Sequence, residues 1–531
     1  MIHGKLPGLI RPGRMDSELL IPFEADDVLQ NHSLIQHLTL AAKDAALLQG
    51  VLMRTKEEPS SSESHFCSVP AGGSQLFRAG TDLEGRALLV TTASCSFVQT
   101  ICFAPITLFP SPVPKNLFDQ ACEAQQDFNV LIDRISMDPE FLKKALASTI
   151  KADEFTARLF NIYNQVLEEG ITQSITLGIN RSDYMFDKKH DQSACLKQIE
   201  INTIAASFAG LAAKVPVVHR HVMHVWGKPE EAAKIQSNSA AKEICKGIAK
   251  AWELYGSPEA VVLFLVERVS RNIFDQRCLE MELWDKNIRV IRRHFIEIYE
   301  RGTLDDNKRL HVDGYEVAIA YFRSGYSPDD YHSEECWAAR LLIERSLAIK
   351  CPNIGTHLVG TKKVQQELVH SGVLENYLPE YPKAVERIRA TFAGLYSIDE
   401  GPEGDEIIAK AMENPEAYVL KPQREGGGNN IFGEEIRQVL GGIKDGSKRS
   451  AYILMDRINP KAVKNYLLQS GTALKLSECI PELGMFGVYI RSCNRLVMNI
   501  CAGHLLRTKS TEFADGGVSA GVAVLDTPYF I

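Results

Sequence analysis

The sequence predicts an α/β chain with α+β parts, and two patterns carry that expectation. Apolar or β-branched runs at 261–266, 290–295 and 317–322 alternate with helical or polar segments, the signature of a mainly parallel sheet. Beyond Lys362 the runs shorten, at 418–421, 452–455, 486–491 and 496–500, and polar loops join them, which favours antiparallel pairing. A chain of 531 residues has room for about three or four domain-sized units. Its composition, 45% apolar and 24% charged, is that of a globular protein with a large core.

The elements follow in order. Residues 34–52 and 117–135 have helical periodicity. In the second, Leu117, Ala121, Ala124, Phe128, Leu131 and Ile135 recur at steps of three or four. Between them the Ser/Gly-rich stretch 60–100 has neither period and reads as loop. The run 87–114 carries no charge and matches a membrane span in length. Thr91, Thr92, Ser94, Ser96, Gln99 and Thr100 dilute it, and Pro105, Pro110, Pro112 and Pro114 break it, so no membrane association is expected. The first fourteen residues carry Lys5, Arg11 and Arg14 without an apolar core, unlike a secretory leader. Lys+Arg 59 against Asp+Glu 67 gives a net charge of −8, which argues against a nucleic-acid partner but leaves room for a local basic pocket. Twelve singly spaced cysteines without a CxxC pair read as reduced, cytoplasmic thiols.

The most informative stretch is Lys421-Pro-Gln-Arg-Glu-Gly-Gly-Gly-Asn-Asn430. A strand ends in a lysine, and Glu425 opens a triple-glycine run whose bare backbone N–H groups can line up on phosphate oxygens. Lysine supplies a point charge for phosphate, and the glutamate can hold a hard cation beside it. This is not a Walker A loop. Glu200-Ile201-Asn202 ends the strand 196–201, and positions i and i+2 of a strand share a face, so a carboxylate and an amide oxygen point together as Mg²⁺ ligands can. Alone, Glu-x-Asn on a solvated strand is common. The small residues of 203–210 follow and would let a substrate approach closely. Arg507-Thr508-Lys509 puts two cations on one strand face, and Asp515-Gly-Gly-Val-Ser-Ala-Gly-Val522 gives another small-residue loop. Arg181, Arg271 and Arg323 sit among Ser, Asn and Gly at strand ends, the setting of carboxylate clamps. His219, His221 and His224 form no ligand pair at helical i, i+4 spacing and read as structural. No GxSxG or HExxH occurs.

Taken together, five motifs resemble those of the eukaryotic glutathione synthetase family of ATP-grasp ligases. They are Leu196-Lys-Gln-Ile-Glu-Ile-Asn-Thr203, Arg271-Asn-Ile-Phe-Asp-Gln-Arg277, Gly360-Thr-Lys-Lys-Val-Gln-Gln-Glu-Leu368, the Lys421 to Asn430 stretch, and His504-Leu-Leu-Arg-Thr-Lys509 with Ala514-Asp-Gly-Gly-Val518. The resemblance runs from about residue 104 onward, plus the helix around 34–54. It implies an ATP-grasp-like architecture with a mainly parallel-sheet substrate domain, an antiparallel-sheet core and a glycine-rich lid. The implied reaction joins γ-glutamylcysteine to glycine through an acyl phosphate, giving glutathione, ADP and phosphate. Its implied cofactor is Mg²⁺, two per subunit, with ATP as co-substrate. A cytoplasmic homodimer is also implied.

By the same carry-over, Arg507, Lys421 and Glu425 are catalytic, and Glu200, Asn202 and Glu425 hold metal. Glu200, Lys362, Lys421, Gln423, Gly426, Gly427, Gly428, Asn429, Asn430, Phe432, Met455, Asp456, Arg457, Ile458, Glu482, Lys509 and Asp515 bind ATP. Arg181, Ile204, Ala205, Ala206, Ser207, Ser270, Arg271, Asn272, Gln276, Arg323, Ser324, Gly325, Tyr326, Arg507, Val518 and Ser519 bind the peptide and glycine. This chain departs from the family pattern at Phe432 (tyrosine in relatives), Ser270 (acidic), Ser324 (aspartate), Ser519 (alanine) and Asp456 (glutamate). None of these removes a metal ligand. The implied divisions are an N-terminal extension, 1–30; the first part of the catalytic body, 31–258; a substrate domain, 259–360; and an ATP-grasp domain, 361–531, with its lid at about 395–477. Residues 65–103 match nothing in the family pattern and read as an insertion or as translated non-coding sequence. Two other readings remain: a ligase joining a different acid and amine, such as a homoglutathione-type acceptor, and a disabled nucleotide-binding paralogue.

Overall fold

The computed structural model describes residues 21–55, 101–188, 193–443 and 446–531. All five residues of the strand Val261–Leu265 are buried, as expected of a strand covered on both faces. It runs parallel to Val290–Arg293 on one side and to Tyr315–Phe322 on the other. Ile349–Cys351 continues the parallel set, and the hairpin of Gly302–Leu304 and Leu310–Val312 pairs antiparallel with the start of Tyr315–Phe322. The parallel sheet is therefore present, with an antiparallel edge. The strand expected over 290–295 stops at Arg293, because His294 and Glu297 form a capping box that starts the helix Phe295–Arg301.

The second sheet is antiparallel apart from one pairing. Its order is Val463–Leu468, Ile106–Thr107, Val524–Asp526, Arg495–Ser510, Leu476–Ser492, Thr176–Lys188, Ala194–Asn202, and Val463–Leu468 also pairs with Leu476–Ser492, so five of the strands close on themselves. The short strands expected at 486–491 and 496–500 belong to a long hairpin of 17 and 16 residues. Charged residues and glycines hid its length in the sequence. Glu482, Arg507 and Lys509 lie on the face that forms the cleft described below. Gly487 must lack a side chain, since a Cβ there would fall 2.2 Å from Asn129 Oδ1 on the helix Lys115–Ser136.

A third, four-stranded antiparallel sheet runs Leu395–Ser397, Tyr452–Asp456, Tyr418–Pro422, Ile431–Phe432. Leu420 and Leu454 pack its back against the helices Pro402–Glu413 and Glu434–Gly442 through a small core of their own. Val419, Lys421 and Met455 alternate onto the front.

Both expected N-terminal helices form, as His32–Leu48 and Lys115–Ser136. The first ends before 52 because Leu52–Arg54 is a strand, paired antiparallel with Ile101–Phe103. The last three residues of the expected insertion 65–103 are thus part of the body. Its remainder up to 100, the loop 60–100 and the extension up to 20 lie outside the described residues. Residues 101–113 of the charge-free run form short strands, and among the described residues no helix is long and apolar enough to cross a membrane. His219 is buried and hydrogen-bonds the Thr107 carbonyl at 2.9 Å, a structural role as expected.

Candidate active site

Strand alternation and register assemble the floor of the site. Arg181 lies opposite Asn202, Asp183 opposite Glu200, and Glu482 opposite Arg507. At the centre is Asp183, whose side chain is 1% exposed. Its carboxylate accepts from Arg181 Nε at 2.6 Å and Nη2 at 2.8 Å, from Asn202 Nδ2 at 3.0 Å and from Arg507 Nη2 at 3.3 Å. Arg507 also donates through Nε to Glu482 at 2.7 Å. With its nitrogen so engaged, Asn202 has its amide oxygen left as the free end on the cleft.

A second group comes from the helix Lys362–Glu367. Gln365 docks this helix on the strand as another peptide group would, accepting from Ile201 N at 3.0 Å and donating to Ile201 O at 3.2 Å. That places Lys362 Nζ 3.0 Å from Glu200 and 3.3 Å from Glu425, bridging two carboxylates from distant parts of the chain. Burial works against ionisation of Glu200, but Lys362, Lys421 and Arg507 outweigh it and hold its carboxyl far below the ordinary range. Burial and the facing Glu200 push Glu425 up to about 7, against the pull of Lys362. Lys421 is buried and donates to Ile199 O at 2.8 Å; burial, with Lys362 adding to it, lowers its pKa. Gln423 lies outside the cleft lining, where its Oε1 accepts from Lys363 N at 3.1 Å and ties the glycine-rich turn to the helix.

The two small-residue loops meet over the cleft. Asp515 Oδ2 accepts from Gly428 N at 3.0 Å and Asn430 N at 3.1 Å. Gly427 comes so close to the other loop that a Cβ on it would lie 2.9 Å from Gly517 N, and a Cβ on Gly517 would lie 3.8 Å from Arg507 Nη1. Lys509 Nζ holds the loop's entry through Ala514 O at 2.6 Å. The cleft has a volume of about 790 Å³. Met185, Ile199, Val419, Phe432, Met455 and Ile480 give it an apolar wall. Asp456, on the same side, is engaged by Gly394 N at 3.2 Å and Tyr396 Oη at 3.3 Å, while Arg457 stacks over the Phe432 ring and Ile458 lines the rim.

The expected substrate residues divide into two groups. Arg181, Ile204 to Ser207, Tyr326, Val518 and Ser519 line the cleft. Behind them, Arg323 donates to Ala206 O at 2.8 Å and Ser207 Oγ at 2.7 Å, so it holds the wall. Ser270, Asn272 and Gln276 bond one another out of the cleft, and Arg271 reaches it only through the Ser519 carbonyl. Ser324 bonds Asp330, whose carboxylate also fixes Tyr326 N at 3.1 Å, with Gly325 at φ 96° between them. The sequence reading passed over three residues: Asp183, Asp275 and Arg424. Asp275 accepts from the backbone of Phe208 at 2.8 Å and Gly210 at 2.7 Å, and Arg424 lines the cleft while pairing with Asp153. The signal for Asp183 was available, since Arg181-Ser-Asp183 repeats the i, i+2 spacing of Glu200 and Asn202.

Among the described residues no three His, Cys, Asp or Glu side chains converge as metal ligands. Two carboxylates around one lysine, with an amide oxygen beside them, make a hard oxygen donor set with open positions. That fits Mg²⁺, which commonly takes one or two protein carboxylates and leaves the rest to phosphate and water.

Residues 83–530 match the model of the eukaryotic glutathione synthase ATP-binding domain. Glutathione synthetase of Xenopus laevis is 54% identical over 506 residues, covering 95% of this chain and 99% of its own. The Homo sapiens glutathione synthetase is 53% identical over 502 residues, 94% and 98% of the two chains. A chloroplastic glutathione synthetase of Solanum lycopersicum is 45% identical over 433 residues, 81% and 78%. Among solved structures, a glutathione synthetase-like effector of Globodera pallida in its apo form superposes with a TM-score of 0.71 at 23% identity, over 96% of this chain and 99% of that one, a likeness of fold.

Proposed function

We propose a residue-level mechanism on one premise: the chain belongs to the eukaryotic glutathione synthase family and is an ATP-dependent ligase of glutathione synthesis. The reaction we assign to the cleft phosphorylates the cysteinyl carboxylate of γ-glutamylcysteine, after which the glycine amine displaces phosphate. A free carboxylate resists attack by an amine, and the acyl phosphate removes that resistance. The observation that carries this reading is the meeting of Glu200, Glu425 and Lys362 under the loops joined by Gly428, Asn430 and Asp515.

ATP lies with its base on the apolar wall of Val419, Met455 and Ile480, and its phosphates face Lys421, Lys362 and the backbone of Gly426 to Gly428. Glu200, Asn202 and Glu425 would hold Mg²⁺, two ions per subunit. Bound there, the metal would neutralise phosphate charge and orient the transferred group. Arg181 and the Ile204 to Ser207 wall receive the peptide. Arg507, with Nη1 turned to the Gly517 loop, binds the reacting carboxylate and stabilises the charge that develops on it. Val518 and Ser519 bound the glycine end. The sheet with the glycine-rich turn acts as the lid, which excludes water from the acyl phosphate. A cytoplasmic homodimer completes the reading; the exposed Leu40 and Leu48 on the helix His32–Leu48 and the singly spaced cysteines support it.

The test is ADP release with Mg²⁺, measured with and without γ-glutamylcysteine and glycine. We expect release only when γ-glutamylcysteine is present, sustained turnover only with both, and loss of both on chelation. Equal release without γ-glutamylcysteine would refute the acyl-phosphate route.

A further inference from the structure

Away from the cleft, the helix Lys115–Ser136 lies along the strand Arg495–Ser510 in a register that the contacts on either side define. At one end Phe118 meets His504 edge to face, with ring centroids 5.2 Å apart. At the other, Asn499 Nδ2 donates to Gln126 O at 3.0 Å, and Asn129 Nδ2 donates to Asn499 Oδ1 at 2.9 Å and Ile500 O at 3.3 Å. Cys122 is four residues from both Phe118 and Gln126, and Cys501 lies between His504 and Asn499. Four helical residues advance about 6 Å and the two strand residues from Asn499 to Cys501 about 6.6 Å. From Cys501 to His504 the strand takes three residues, but a bulge opposite the Phe486–Gly487 step absorbs one, so Cys122 falls opposite Cys501. At Gly487, the strand partner of Cys501, the helix side chains leave no room for a Cβ, which would fall 2.2 Å from Asn129 Oδ1 and 2.4 Å from Gln125 Nε2. Both cysteines are free thiols and only partly buried.

We propose that Cys122 and Cys501 are a redox site, a dithiol that closes to a disulfide by exchange with a low-molecular-weight disulfide. The two thiols share a hydrogen bond that lowers the pKa of Cys501 and raises that of Cys122, so Cys501 is the first to ionise. The Cys501 thiolate attacks one sulfur of the oxidant, forms a mixed disulfide and expels one thiolate. Cys122 then loses its proton to solvent and attacks the Cys501 sulfur, expelling the second thiolate. Two protein thiols are oxidised and one external disulfide is reduced to two thiols, so electrons balance. The bond staples the helix to the strand that carries Arg507 and Lys509.

The experiment equilibrates the folded, full-length chain with glutathione disulfide, traps thiols by alkylation and maps peptides without reduction. We expect a linked pair of peptides bearing Cys122 and Cys501, reversed by dithiothreitol, and a melting temperature raised by about 5 °C. Cys122→Ser should instead trap a mixed disulfide on Cys501 and keep its basal turnover. A wild-type chain that acquires mixed disulfides at the exposed Cys493 and no Cys122–Cys501 link would overturn the proposal, as would a link that forms only in denaturant. The readout is independent of ligase activity, so failure here leaves the assigned reaction untouched.

Discussion

Asp183→Asn should disable the peptide side of the cleft while leaving the nucleotide side working. The aspartate is buried and takes donors from Arg181, Asn202 and Arg507. Three of its four contacts, at 2.8, 3.0 and 3.3 Å, converge on Oδ2. The amide will therefore turn its oxygen to that position and set its NH₂ against Arg181 Nε, where the aspartate now accepts at 2.6 Å. Arg507 keeps Glu482, whereas the 6% exposed Arg181 loses the carboxylate that pairs with it. Removing one partner of a buried pair costs about 3–5 kcal/mol, and the surviving bonds to the amide oxygen put this case near the low end, about 3 kcal/mol. If that loss falls on positioning Arg181, kcat/KM for γ-glutamylcysteine drops by about a hundredfold or more, since each 1.4 kcal/mol is tenfold. The KM for ATP should change by less than about threefold, because Lys362 and Lys421 do not touch Asp183. Steady-state kinetics in each substrate, on protein checked for folding by circular dichroism, separates the two. An unchanged KM and kcat for γ-glutamylcysteine would refute the role given to Arg181.

The remaining predictions concern the metal, the lid and the acceptor. Glu425→Gln should leave the fold intact and lower turnover by about a hundredfold or more, because an anionic ligand beside the transferred phosphoryl group is lost; near-normal Mg²⁺-dependent turnover would remove Glu425 from the metal site. Gly427→Ala forces the turn away from Gly517 N, which its Cβ would approach to 2.9 Å. We expect the KM for ATP to rise about tenfold, the loss of one charge-assisted bond to Asp515, with the melting temperature unmoved; unchanged ATP kinetics would show that the loops need not meet. Gly516 and Gly517 come just before Ser519 and Ala520, which line the cleft, and Arg271 pins the Ser519 carbonyl, so the pocket suits a compact amine. Glycine should therefore exceed β-alanine, alanine and serine in kcat/KM by about 10- to 200-fold, and a preference for β-alanine would mean that this loop does not bound the acceptor.

How much of this was legible in the sequence depended on whether a signal was local. The run Val261–Leu265 is buried on both faces and reads plainly as a strand. Glu200 and Asn202 were legible because strand alternation is local. The hairpin Leu476–Ser492 with Arg495–Ser510 was read as shorter strands because its charges face a cleft formed by other segments, so its alternation looks broken. Ser270, Asn272 and Gln276 show the converse: the family resemblance implied substrate contacts for them, yet they bond one another behind the wall. Polar residues near a site either face the ligand or hold those that do, and sequence spacing does not distinguish these two roles. Asp275 and Asp183 are of the second kind, and three-dimensional contacts alone reveal what they hold.

The charge of the cleft follows from the same distinction. A chain of net charge −8 gathers buried Arg181, Lys362, Lys421 and Lys509 and half-buried Arg507 in and beside the cleft. Such cations cannot be gathered in a low-dielectric interior without counter-charges, and Asp183, Glu200, Glu425, Glu482 and Asp515 supply them. The anions then divide by task. Asp183 and Glu482 grip the arginines that, in the proposed reaction, position the carboxylate to be activated. Glu200 and Glu425 pair with Lys362, which has one ammonium shared between two carboxylates. In the proposed reaction Lys362 is the cation that would pair with phosphate, and Glu200 and Glu425 are the carboxylates that would hold Mg²⁺, which would neutralise phosphate charge there. On that reading the site takes a polyanion and its cations with little change in net charge, while Arg181 and Arg507 keep their carboxylate partners Asp183 and Glu482.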